Sequence, residues 1–190
     1  MYLSIKRLFE AHDVYPILLI MFVIILITAA VVDYRTQKIP NILNGVALLA
    51  ALITWTLLEG WSGFLFSFKG FWVGLSTLII PYALGAMGGG DVKLMGVVGA
   101  FLGIQGVLNA FVLTSLCGGL YAVGLIVVHP RQFWKSMQRY WLTFKLLVAT
   151  KKFTPDKPVA TAPRLYYGIA IAVGTLSYLL LDLAGVDPLI

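Results

Sequence analysis

An all-α integral membrane protein with six transmembrane helices is the fold class this sequence predicts, and three observations point to it. Hydrophobic residues make up 60% of the 190-residue chain and charged residues 12%, against about 45–50% and about 25% in an ordinary soluble domain. That much apolar surface exceeds what one core of this size can bury, so the remainder faces lipid. The apolar residues fall in successive runs near the length of a spanning helix, about 17–25 residues. The basic residues lie mostly between the runs, where they set orientation.

The runs are 16–32, 42–58, 71–87, 92 to about 102, 106–128 and 165–183. The first exceeds a signal-peptide apolar core of about 7–15 residues and more runs follow it, so it reads as a span. Run 92–102 is too short to cross a bilayer alone. It fits if Asp91 lies below the membrane surface, or if the next run shares a turn with it near 103–106. The aromatic-rich stretch 60–70 reads as a short outer loop at the interface. Between the fifth and sixth spans, Phe133, Trp134, Met137, Tyr140, Trp141, Phe144, Leu147 and Val148 recur at helical spacing, with Lys135, Gln138, Arg139 and Lys145 mostly between them. This predicts a cytoplasmic-side interfacial amphipathic helix against anionic headgroups, followed by an extended proline-bearing linker at 154–163. The expected organisation is one polytopic domain, 1–190, with 130–163 as its basic segment and linker.

With Asp33 placed inside, Arg35, Lys38, Lys93, Arg131, Lys135, Arg139, Lys145, Lys151, Lys152, Lys157 and Arg164 are cytoplasmic, leaving only Lys6, Arg7 and Lys69 outside. The asymmetry fixes the orientation and puts both termini outside, with Asp182 and Asp187. The net charge of +6 is thereby a membrane signal, and nucleic acid is not an expected partner. One cysteine, Cys117, excludes a disulfide framework. His12 and His129 fall at opposite sides, so neither a metal site nor another cofactor is expected. Asn44, Gln105 and Asn109 read as interhelical hydrogen-bonding residues.

Two clusters carry chemistry. Gly88-Gly89-Gly90-Asp91-Val92-Lys93-Leu94 opens the fourth run, and its glycines suit a tight turn or the close approach of another backbone. Asp33-Tyr34-Arg35-Thr36-Gln37-Lys38-Ile39-Pro40-Asn41 joins the first two runs. There Pro40 excludes a helical Ile39 and starts the next helix, and Asn41 can cap its first turn. Either aspartate alone reads as an ordinary membrane-edge carboxylate. Together they are the only cytoplasmic-side acids besides Asp156, and both sit at helix ends. Two carboxylates sharing a site hold one proton between them and can activate a water.

The segment from Asp33 to Asn41 resembles the D-x-R-x-x-x-I-P-N motif of prepilin peptidases, and Gly88 to Leu94 resembles their G-x-G-D-x-K-L motif. Pro163-Arg164-Leu165-Tyr166-Tyr167-Gly168-Ile169-Ala170 is similar to the family's closing helix, with Tyr166 where proline is expected. The resemblance runs from 31 to about 174, apart from the basic insert at 131–157. It implies an aspartic endopeptidase that removes the short leader from type IV prepilin, pseudopilin or Flp-type precursors, with Asp33 and Asp91 catalytic. Gly88, Gly89, Gly90, Lys93, Arg35, Pro40 and Asn41 would then bind substrate or shape the site. It also implies a short form without the cysteine-held zinc domain that accompanies N-methylation in long members, as in tight-adherence pilus systems and preflagellin peptidases. Helix-end charge assigns the ionised state to Asp91 and the proton to Asp33, and Lys93 anchors its helix at the headgroups. The rival reading, a small transporter or channel component, calls for charges near mid-span; a presenilin-like protease lacks the I-P-N segment, and an inactive scaffold would tolerate loss of either aspartate.

Overall fold

The computed structural model describes residues 15–84, 87–128, 138, 141, 142, 145 and 166–185. The ordered elements among them are four helices, α1 (Tyr15–Thr36), α2 (Asn41–Ala83), α3 (Gly89–Val128) and α4 (Tyr167–Leu183). The first three are long and apolar enough to cross a membrane, and α4 is a shorter apolar helix. The predicted amphipathic helix and linker at 130–163 lie almost wholly outside the described residues. Within that stretch Gln138, Trp141, Leu142 and Lys145 are helical, and the Lys145 Nζ lies 5.6 Å from the centre of the Trp141 ring.

Two of the helices fold back on themselves at single glycines. In α2 the break is Gly60 (φ 61°, ψ −138°), and in α3 it is Gly103 (φ 71°, ψ −172°). A side chain is essentially excluded from this backbone region. Beyond Gly60 the chain reverses so sharply that Gly63 abuts the Trp55 carbonyl, and the Trp55 and Phe66 rings lie 4.5 Å apart. The expected outer loop at 60–70 is therefore helix. Its aromatics form a ladder along one face, Trp61 on Phe64 at 5.1 Å, Phe64 on Phe68 at 5.6 Å and Phe68 on Trp72 at 6.2 Å. One glycine makes the corner, so the aromatic run continues the helix. At the other end this run stops at Ala83, short of the expected 87.

The break at Gly103 lies where the short fourth run calls for a shared turn. From Gly89 to Gly103 the first arm of α3 is only about 20 Å long at roughly 1.5 Å per residue. Its surroundings make the shortness tolerable, because residues 91–101 are all buried except Lys93. This arm is the centre of the bundle and meets protein rather than lipid. The break frees the carbonyl of Phe101, and the buried Trp55 indole satisfies it by donating to that oxygen at 3.2 Å. A freed backbone group at membrane depth needs such a partner.

Glycines let the arms approach. Gly70 and Gly99 meet backbone to backbone, and Gly74 meets the Met95 carbonyl, so the outgoing arm of α3 runs antiparallel to the second arm of α2. After Gly103 the chain returns beside α4, with Gly174 against Thr114 and Ala170 near Gly118. Phe22, Leu26, Ala29 and Asp33 form the buried stripe of α1, with Phe22 stacked on Phe101 at 4.5 Å. Their spacing of four, three and four residues is that of one helix face. Asp33 is thus the last residue of an apolar stripe, and the two fold-back corners lie at the opposite end of the bundle.

Candidate active site

Asp33 is 5% and Asp91 8% exposed, and the charge of Asp33 acts on Asp91. Asp33 lies in the last turn of α1 and Asp91 in the first turn of α3. α1 docks mainly on α4, and α4 docks on α3, which places the two carboxylates at one end of the bundle. Each is held through Oδ2 by the amide of a glycine. Gly88 donates to Asp91 at 3.1 Å, and Gly168, in the first turn of α4, donates to Asp33 at 2.9 Å. Hydrogen bonds to an ionised acceptor are the stronger kind, and here both come from backbone, which has no rotamer freedom to lose.

Three contacts stitch the cluster at 88–94 to residues 39–44. A Cβ at Gly90 would lie 2.9 Å from the Ile39 carbonyl oxygen and 3.1 Å from its Cβ, so residue 90 must be glycine for the extended 39–40 segment to pass. Asn44 Nδ2 donates to the Gly90 carbonyl at 3.0 Å. Lys93 Nζ donates to Asn41 Oδ1 at 2.7 Å. Pro40 occupies the extended position before α2 (φ −62°, ψ 138°), without a side-chain cap.

Several expectations change on this geometry. Asn41 does not cap α2, because its carbonyl oxygen is taken by Lys93. Lys93 is exposed and spends its charge on Asn41, tying the start of α3 to the start of α2. Asn44 does bond between helices, whereas Gln105 is exposed. Arg35 stands exposed in the last turn of α1, where it complements the helix end. Asp182 is buried near the end of α4 at 4% exposure. Gly88 and Gly90 are in direct contact with the site, and Gly89 stands near the Tyr82 ring, 3.5 Å from it for a Cβ built there. Among the described residues no group of three or more His, Cys, Asp or Glu side chains could hold a metal.

Gly168 and Tyr166 are site residues that the two motifs do not contain. Tyr166 precedes α4, its ring 5.7 Å from Tyr34 and its hydroxyl accepting from Gln37 Nε2 at 3.3 Å. The available signal was the glycine at 168 in the stretch similar to the family's closing helix. Its partner across 135 residues could not be read from spacing.

Residues 20–123 match the type IV leader peptidase family. The chain is also 32% identical over 118 residues to the prepilin leader peptidase/N-methyltransferase of Bacillus subtilis, covering 57% of this chain and 44% of that protein. It therefore spans less than half the length of this curated relative. No solved structure matches. The matched stretch contains both sequence clusters, both fold-back corners and the buried Asp33 and Asp91, and the chain belongs to the type IV leader peptidase family.

Proposed function

We propose that this chain is a membrane aspartic endopeptidase that removes the leader from type IV pilin-like precursors, with Asp33 and Asp91 as its catalytic pair. The observation that carries the reading is the convergence of two buried carboxylates at one end of an apolar helical bundle, each fixed by a glycine amide. Membership of a leader peptidase family supports the substrate class, and an Flp-type or pseudopilin precursor is the form we favour. The proposal covers the cut alone, since one cysteine in these 190 residues cannot build a multi-cysteine zinc site.

In the proposed reaction one carboxylate is ionised and the other protonated. The ionised group takes a proton from a water, whose oxygen attacks the scissile carbonyl carbon, while the protonated group donates to the carbonyl oxygen. The tetrahedral adduct then collapses, the C–N bond breaks and the leaving amine takes up a proton. No covalent enzyme intermediate forms. The helix ends do not decide which aspartate starts ionised, because the N-terminus of α4 faces Asp33 much as that of α3 carries Asp91.

The two arms each of α2 and α3, beside α1 and α4, support a reading of six crossings in a single polytopic domain. The distribution of Lys and Arg supports a cytoplasmic site, in the inner membrane of a bacterium, with anionic lipid against the basic 131–157 segment. Glycines 88–90, with Ile39, Pro40 and Asn41, would wall the path of an extended substrate.

The test is co-expression of the full chain with a pilin-like precursor from the same genome, scoring leader removal by mass. Asp33→Asn and Asp91→Asn should each lower cleavage by roughly 10³-fold or more while the protein still accumulates in the membrane. Undiminished cleavage by either variant would end the proposal.

A further inference from the structure

The start of α4 does more than close the bundle. Tyr166 is seated on the C-terminal turn of α1, its ring against Tyr34 and its hydroxyl on Gln37. Gln37 is the non-glycine position with positive φ (53°) among the described residues, and its amide donates to the Asp33 carbonyl at 2.8 Å. Two residues beyond Tyr166, the Gly168 amide reaches Asp33 Oδ2, reinforced by that of Ile169. This approach requires residue 168 to lack a side chain. A Cβ there would lie 2.9 Å from Asp33 Oδ2, 2.9 Å from its Cβ and 3.0 Å from its Cγ.

We propose that the first turn of α4 is the positioning element for Asp33. The Gly168 amide fixes the carboxylate, and Tyr166, clamped on Tyr34 and Gln37, sets the height at which Gly168 arrives. The assignment rests on the catalytic-pair reading above and adds Gly168, Tyr166 and Gln37 as positioning residues. Asp33 sits at the negative end of α1, which disfavours its charge. The positive end of α4, aimed at the same carboxylate, offsets that. Asp91 gets its glycine amide from three residues away in its own turn, so its orientation is local. Asp33 gets its own from 135 residues away, so its orientation depends on how α4 docks. An alanine at 168 must displace the carboxylate, and displacement of a reacting group lowers the rate without changing substrate affinity.

The experiment uses the full chain purified in detergent and a pilin-like precursor that the unmodified chain cuts, with kcat, KM and thermal unfolding measured together. Gly168→Ala should lower kcat by roughly 10²-fold with KM within about twofold and the unfolding midpoint retained. Tyr166→Ala should lower kcat by about tenfold at unchanged KM, and Tyr166→Phe, which keeps the ring on Tyr34, should lose less. Unmodified kcat in Gly168→Ala overturns the proposal, as does a loss of rate that only tracks loss of folded protein. If Gly168→Ala does not fold, Tyr166→Ala decides: reduced kcat at unchanged KM supports the positioning role, and unchanged kcat removes it. Asp33→Asn in the same assay keeps the two claims apart, because its full activity would remove the catalytic pair itself, whereas its inactivity beside a fully active Gly168→Ala removes only the positioning role.

Discussion

Asp91 and Asp33 stand on contrasting supports. The helix arm carrying Asp91 is enclosed over residues 91–101 but for Lys93, and its neighbour comes close enough for Gly70 and Gly99 to touch through their backbones. The helix carrying Asp33 leaves Ile17, Ile20, Ile24, Ile27 and Val31 exposed, makes only slim contact with α2, and is held near its end by α4. One carboxylate is thus built into a backbone-to-backbone block that cannot give. The other is presented by a more peripheral helix and trimmed by contacts at its last turn. Damage to the first support should cost the fold, and damage to the second should cost mainly rate.

The comparison is broken most directly at the α2–α3 crossing. Gly99→Val should separate the two helices and destabilise the protein by more than about 3 kcal/mol, seen as loss of monodisperse protein after extraction and a collapsed unfolding midpoint. Next comes the buried stripe of α1, where Leu26→Ala should cost about 2 kcal/mol. That is the lower end of the core range, because the exposed alternative is lipid rather than water; thermal unfolding measures it. Asn44→Leu removes the bond to Gly90 but also a buried Oδ1 that has no partner. Its stability loss should therefore be only about 1 kcal/mol, while cleavage falls roughly tenfold through the shifted turn before Asp91. Lys93→Met loses an exposed bond to Asn41 and should change stability by a few tenths of a kcal/mol, about the size of other surface changes. Ile24→Ala, two residues from Leu26 on the exposed face, should shift the unfolding free energy by less than about 0.5 kcal/mol and leave cleavage unaltered. A large effect there would mean that α1 has a neighbour on that face.

Much of this arrangement was legible from residue order. The apolar runs located α1, the arms of α2 and α3, and α4 to within a few residues, except that the second arm of α2 begins ten residues before its expected run, because hydrophobic length is set by the membrane and survives in any packing. The two clusters around Asp33 and Asp91 were legible for the same kind of reason, as polar residues at apolar boundaries. What escaped was everything decided by how one segment lies on another. The stretch 61–70 is helix because Gly60 alone reverses the chain, a backbone property that aromatic content does not announce. Asn41 looked like a helix cap, and lost that role to Lys93 fifty-two residues away. Gly168 is required by the Asp33 carboxylate rather than by its own helix, so nothing beside it in the chain reveals the reason.

The corners at Gly60 and Gly103 bear on how the molecule meets its surroundings. Each returns the chain through a single non-helical residue, so between α2's two arms, and again between α3's, there is almost nothing to grip. A protease, an antibody or a bulky label arriving at either corner would meet helix ends and ring faces. Tags inserted at 60 or 103 would force open the very turns that bring the bundle together.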